Sequence, residues 1–192
     1  MKKKLIIKIG TSTLTAGTNR ISFAVIESLA RQIVELKNEY DIVIVSSGAI
    51  ATARQFVDIN GSIKTVDSKQ ALAAIGQTKL MELYDVIFGT FGLNIAQILL
   101  TYRDFENLTA IENTRNTINR LWELNYIPVV NENDTVSFEE IILGDNDKLS
   151  ALVATILNVD LLVLVSDIDG IFNKNPHLHD DAVLINEVND LN

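Results

Sequence analysis

Five short runs of apolar residues punctuate the chain: Leu5–Ile9, Ile42–Val45, Ile95–Leu100, Ile127–Val130 and Leu161–Val165. They show little alternation between apolar and polar positions, as expected of strands covered on both faces, so each predicts a buried strand. Between them, Phe23–Leu36, Lys69–Ile87, Ala110–Leu124 and Leu149–Leu157 space their apolar residues by three and four. That period predicts amphipathic helices. Strands alternating with helices in this way predict an α/β fold, a three-layer αβα sandwich with a mostly parallel sheet. In such sheets ligands gather beyond the carboxyl ends of the strands, and the polar clusters of this chain fall there. The polar interruption Asp58–Asp67, with Asn60-Gly61 at its middle, predicts an exposed loop or flap over that end.

The densest of these clusters are Asn131-Glu132-Asn133-Asp134-Thr135-Val136 and Gly144-Asp145-Asn146-Asp147-Lys148-Leu149-Ser150-Ala151. Asp, Asn and Gly also make ordinary turns and helix caps. Two such clusters set directly against core segments favour a polar site for a small charged molecule. Asp134 and Asn146 offer an acceptor and an amide, the pairing that holds an α-amino group and a carboxylate. Asp147 would at minimum stabilise the first turn of the next helix. Lys8 stands in a strand that is otherwise apolar, and burying its ammonium is costly unless an anion meets it; a lysine that snorkels to the sheet edge is the structural alternative. Gly10, Thr11 and Ser12 follow it with room and donors for a phosphate, without Walker or Rossmann spacing. Ser46-Ser47-Gly48-Ala49-Ile50 reads as a strand-to-helix junction whose backbone amides could bind an anion. Ser166-Asp167-Ile168-Asp169-Gly170-Ile171-Phe172 is a polar turn that could contact a nucleotide.

Composition narrows the function classes. The 192 residues, 47% of them hydrophobic, fit one domain of ordinary size. Without cysteine there are no disulfides, thiolate metal sites or cysteine nucleophiles. His177 and His179 lack matching partners in sequence, so no protein-held metal is expected. A net charge of −9, from 25 acidic and 16 basic side chains, argues against a nucleic-acid or anionic membrane surface as partner. Met1-Lys2-Lys3-Lys4 precedes too short an apolar run for a secretory signal, and no stretch approaches the roughly 18 apolar residues of a membrane span. The expected compartment is cytoplasmic.

Taken in order, Lys8–Ser12, Ser46–Ile50, Lys69–Gln77, Ala96–Thr101, Asn131–Val136, Gly144–Ala151 and Ser166–Phe172 resemble the glutamate-phosphorylating branch of the amino acid kinase family, over almost the whole chain. The resemblance implies transfer of the γ-phosphoryl group of ATP to the side-chain carboxylate of L-glutamate, giving glutamyl 5-phosphate for proline synthesis, with Mg²⁺ carried by the nucleotide. By the same resemblance Lys8 and Asp147 are catalytic, Ser47, Asp134 and Asn146 bind substrate, and Lys8, Gly10, Ser166 and Asp167 bind the nucleotide. It further implies a homo-oligomer, feedback by proline, and a glycine-rich segment with a second phosphate-binding lysine beyond the Ser166-Asp167 turn. The 192 residues hold no such segment and no C-terminal RNA-modification-like domain. The chain therefore reads as an amino acid kinase domain, residues 1–192, cut on its nucleotide-binding side. Two other functions fit the same residues: an amino-acid sensor without catalysis, and a kinase for another small carboxylate.

Overall fold

The computed structural model describes residues 2–57, 65–137 and 146–189. Five strands form the main sheet: β1 (Lys3–Ile9), β2 (Tyr40–Ser46), β3 (Asn94–Leu100), β4 (Tyr126–Glu132) and β5 (Leu161–Val165). Their order is β3-β4-β2-β1-β5, and every adjacent pair is parallel. The helices are α1 (Thr11–Thr15), α2 (Phe23–Leu36), α3 (Ala49–Ala53), α4 (Val66–Gly89), α5 (Leu108–Glu123) and α6 (Asp147–Leu157), with a 3-10 turn at Tyr102–Glu106. A two-stranded antiparallel ribbon, β6 (Ile171–Phe172) with β7 (Leu184–Ile185), follows β5.

The period of two within each strand divides the core in two. Leu5, Ile7 and Ile9 of β1, Ile42 and Ile44 of β2, and Ile127 and Val129 of β4 pack with α2 and α4. Ile6, Val43, Val45 and Val130 pack with Ile118 of α5 and with Leu149, Val153 and Leu157 of α6. Helices therefore cover both faces of β1, β2 and β4, and the three-layer αβα sandwich read from the sequence is the architecture observed; β5, expected to be buried, instead exposes Leu161, Val163 and Leu164 at the sheet edge. Connections running toward β3 pass over the α2/α4 face and those running back pass over the α5/α6 face, as the single hand of parallel crossovers requires. Between β2 and β4 the connections leave to opposite faces. The carboxyl ends of these two strands thus open a crevice, the usual ligand position in an open parallel sheet.

Most strands and α5 differ from expectation by one or two residues at an end, and three other differences matter more. α4 starts at Val66, so the end of the segment read as a flap is helical, with Thr65 as its N-cap; residues 58–64, including Asn60-Gly61, lie outside the described residues. α6 begins at Asp147, two residues before the apolar spacing does. The β6/β7 ribbon was not expected, since two-residue strands leave no periodic signal. Among the described residues no helix is long and apolar enough to cross a membrane.

Candidate functional site

Strand parity decides where the buried lysine goes. Lys8 alternates with Ile7 and Ile9, so its side chain leaves on the α5/α6 face, where α6 begins. It is 7% exposed, and its Nζ lies 2.5 Å from Asp147 Oδ1. An anion meets the ammonium, and the lysine does not snorkel to the edge. Lys8, Gly10, Thr11, Ser47, Asp147 and Asp167 line a cavity of about 350 Å³ that Ser166 also borders. The loops after β1, β2 and β5 and the start of α6 thereby gather hydroxyls, an ammonium and two carboxylates in one open space. Gly48 opens α3 with φ +97°, a left-handed conformation that suits glycine. A side chain there would crowd Leu14 and Ile21 at 3.3 Å. Gly10 has φ −79°, so its backbone conformation is open to any residue.

On the other face the apolar rows of β2 and β4 turn polar at their last steps. Ile42 and Ile44 lead to Ser46, and Ile127 and Val129 lead to Asn131. α4 answers with polar groups in its buried stripe: Ser46 Oγ and Tyr84 Oη are 3.0 Å apart, and Asn131 Nδ2 donates to Gln77 Oε1 at 2.8 Å. Burial pushes the Tyr84 hydroxyl up to about 12 against the opposing bond from Ser46, so it remains a neutral hydroxyl. Asn146, fully buried, ties the two strand ends together. Its Nδ2 donates to Ser46 O at 2.9 Å and to Asn131 Oδ1 at 2.8 Å. The amide hydrogens of Asn146 are thus used internally. Its carbonyl oxygen is buried and without a hydrogen-bond partner among the described residues. Asn146 is an acceptor here, rather than the amide donor the sequence suggested.

Asp134 follows β4, 7% exposed, and its Oδ1 has no hydrogen-bond partner among the described residues. Burial, reinforced by the carboxylate of Glu132, raises its carboxyl from 3.8 to about 7. Ser137 Oγ donates to Glu132. A buried acid with no ion pair among the described residues is an expensive arrangement that a ligand cation would relieve. Asp134, Glu132, Thr135, Gln77, Thr78 and Gln97 line a second cavity of about 310 Å³. Gly144 and Asp145 lie outside the described residues.

Two residues of the Lys69–Gln77 stretch were given no role in the sequence reading. Gln77 carries the relay described above, and Gly76 lets α3 and α4 touch: a Cβ there would fall 1.8 Å from Ala49 O. The available signal was a glutamine and a glycine inside the buried stripe Leu72, Ala73, Leu80, Tyr84, Phe88 of one helix.

The model of the amino acid kinase family matches residues 3–191. The chain belongs to the amino acid kinase family. Among its relatives, a glutamate 5-kinase of Clostridium acetobutylicum is 43% identical over 190 residues, covering 98% of this chain and 71% of that one. A glutamate 5-kinase of Dehalococcoides mccartyi (strain CBDB1) is 46% identical over 193 residues, covering 98% of this chain and 52% of the relative. One from Geobacter sulfurreducens is 45% identical over 184 residues, covering 95% and 49%. The chain thus spans about half the length of two of these relatives. Two solved members of the amino acid kinase fold superpose on it. Isopentenyl phosphate kinase in a substrate complex does so with TM-score 0.65 and 18% identity, over 95% of this chain and 77% of that one. UMP kinase from Ureaplasma parvum gives 0.62 and 16%, over 96% and 75%.

Proposed function

We propose that this amino acid kinase domain phosphorylates the side-chain carboxylate of L-glutamate with ATP, yielding glutamyl 5-phosphate and ADP. The observation that carries the reading is the buried Asp134 beside Glu132, with no ion pair among the described residues, together with the Asn146 carbonyl, which also lacks a partner among them, on the side chain that ties the ends of β2 and β4. These are acceptors awaiting an ammonium, and an amino acid supplies one. The names of the relatives support glutamate as that amino acid.

Asp134 and the Asn146 carbonyl hold the α-ammonium, and Ser47, which lines the cavity beside Lys8, contacts the substrate from there. A side-chain carboxylate is already ionised near neutral pH, so its oxygen attacks the γ-phosphorus without a general base while the bond from that phosphorus to the bridging oxygen of ADP breaks. Catalysis then rests on positioning and on neutralising the transferred charge. Lys8 supplies the positive charge at the phosphoryl group, and Asp147 holds its ammonium in place from the start of α6. Gly10, Ser166 and Asp167 border the phosphates of the nucleotide. The hydroxyls, ammonium and carboxylates around that cavity suit a magnesium triphosphate, in which one or two carboxylates and phosphate oxygens share the cation. When bound, Mg²⁺ neutralises phosphate charge.

The test is ADP release in a coupled assay with L-glutamate, N-acetyl-L-glutamate and L-aspartate as acceptors. Turnover should require L-glutamate, since N-acetylation removes the ammonium. Equal turnover with the acetylated acid would refute the role of Asp134, and absence of any glutamate-dependent ADP release would refute the activity.

A further inference from the structure

The amide relay fixes the direction of every group in it. Ser46 O can only accept, so Asn146 must turn Nδ2 toward it. The backbone N–H of Glu132 can only donate, and it donates to Asn131 Oδ1 at 2.9 Å. Asn131 therefore presents Nδ2 to Gln77, and Gln77 must answer with Oε1. Pinned at both ends by backbone atoms, the relay leaves Gln77 Nε2 as a buried donor with no hydrogen-bond partner among the described residues. Gln77 is 8% exposed, and native interiors rarely leave such a group unmet without a reason.

Gln77 and Asp134, which carry this orphan donor and the orphan acceptor, both line the cavity of about 310 Å³. An α-amino acid carries a cation and an anion on one carbon and needs that combination. Neither Thr78 nor Gln97 competes as the buried donor, because both are exposed and the Thr78 hydroxyl already donates to Ala74 O. We propose that Gln77 Nε2 donates to the α-carboxylate of the amino acid whose ammonium meets Asp134, making Gln77 a specificity-determining residue of the site. The inference rests on the amino-acid reading of the crevice and assigns its carboxylate end.

The experiment titrates L-glutamate and L-isoglutamine, its α-carboxamide analogue, into the protein at pH 8 by calorimetry. Wild type should bind the carboxamide about tenfold or more weaker, because a charge-assisted bond is exchanged for a neutral one; equal affinity overturns the assignment. Gln77→Glu keeps an acceptor for Asn131 and turns the free donor into an acceptor. It should lose about 10- to 100-fold in glutamate affinity while the carboxamide loses less, so that the preference narrows or inverts. Gln77→Met should bring the two affinities together. ATP affinity and melting temperature report whether each variant folds. A folded Gln77 variant with the wild-type preference overturns the proposal, and the wild-type comparison decides should both variants unfold. Failure of wild type to bind L-glutamate would instead sink the amino-acid reading itself.

Discussion

Replacing Asp134 with asparagine should stabilise the ligand-free protein by an amount that grows as pH rises from about 4 and is complete above about pH 7. Asp134 is raised from 3.8 to about 7 by burial and by Glu132. A rise of about three units corresponds to a ceiling of about 4 kcal/mol, at about 1.4 kcal/mol per unit. Local relaxation reduces this, and about 1–2 kcal/mol is the expected gain. The sign follows from proton counting. Between about pH 4 and pH 7 the folded protein holds a proton on Asp134 that the unfolded chain has released, so stability falls as pH rises through that window and levels off above it. Asparagine carries no charge at any pH and escapes the penalty. Below pH 4 both forms of residue 134 are neutral and nearly isosteric, and the two proteins should converge. Urea unfolding at pH 4, 5.5 and 8 measures the difference directly. A variant gain that is the same at pH 4 and pH 8, or a variant less stable than wild type at pH 8, would refute the reasoning.

Lys8→Ala should lower kcat by about 10²- to 10³-fold, the cost of removing one group that stabilises transferred charge, with the KM for glutamate little changed in steady-state assays. Asp147→Ala removes the anion 2.5 Å from a nearly buried ammonium; because Asp147 itself is half exposed, the loss in urea unfolding should be about 1–3 kcal/mol, below the figure for a fully buried pair. Gly76→Ala forces a methyl group to within 1.8 Å of Ala49 O. The two helices must separate, at a cost of about 3 kcal/mol or more, and thermal melting should show a clear fall.

Much of the fold was legible because each main strand is a continuous apolar run and each long helix a periodic one. The limits of α2 and β5 fall where the pattern places them. Short elements were illegible for a physical reason: α1, the 3-10 turn and the β6/β7 ribbon are too brief to express a period, and turn residues dominate them. The start of α4 was hidden because Thr65-Val66-Asp67 reads as the end of a polar loop, although its polar residues serve as a helix cap and first turn. In the site, the pairing of Lys8 with an anion followed from the cost of burying its charge, but which anion depended on strand parity and on where α6 begins. The relay through Ser46, Gln77, Asn131 and Asn146 joins four elements separated by up to 100 residues in sequence. Hydrogen-bond direction along it, and hence the acceptor character of Asn146, depends on the backbone groups that pin its ends.

The most direct measurement is the number of protons released when L-glutamate binds at pH 7, obtained by calorimetry in buffers of different ionisation enthalpy. An ammonium arriving at Asp134 should lower a carboxyl that sits at about 7 and expel about half a proton. In Asp134→Asn the release should vanish and glutamate affinity should fall. Binding without proton release, or the same release in the variant, would contradict the placement of the ammonium at Asp134.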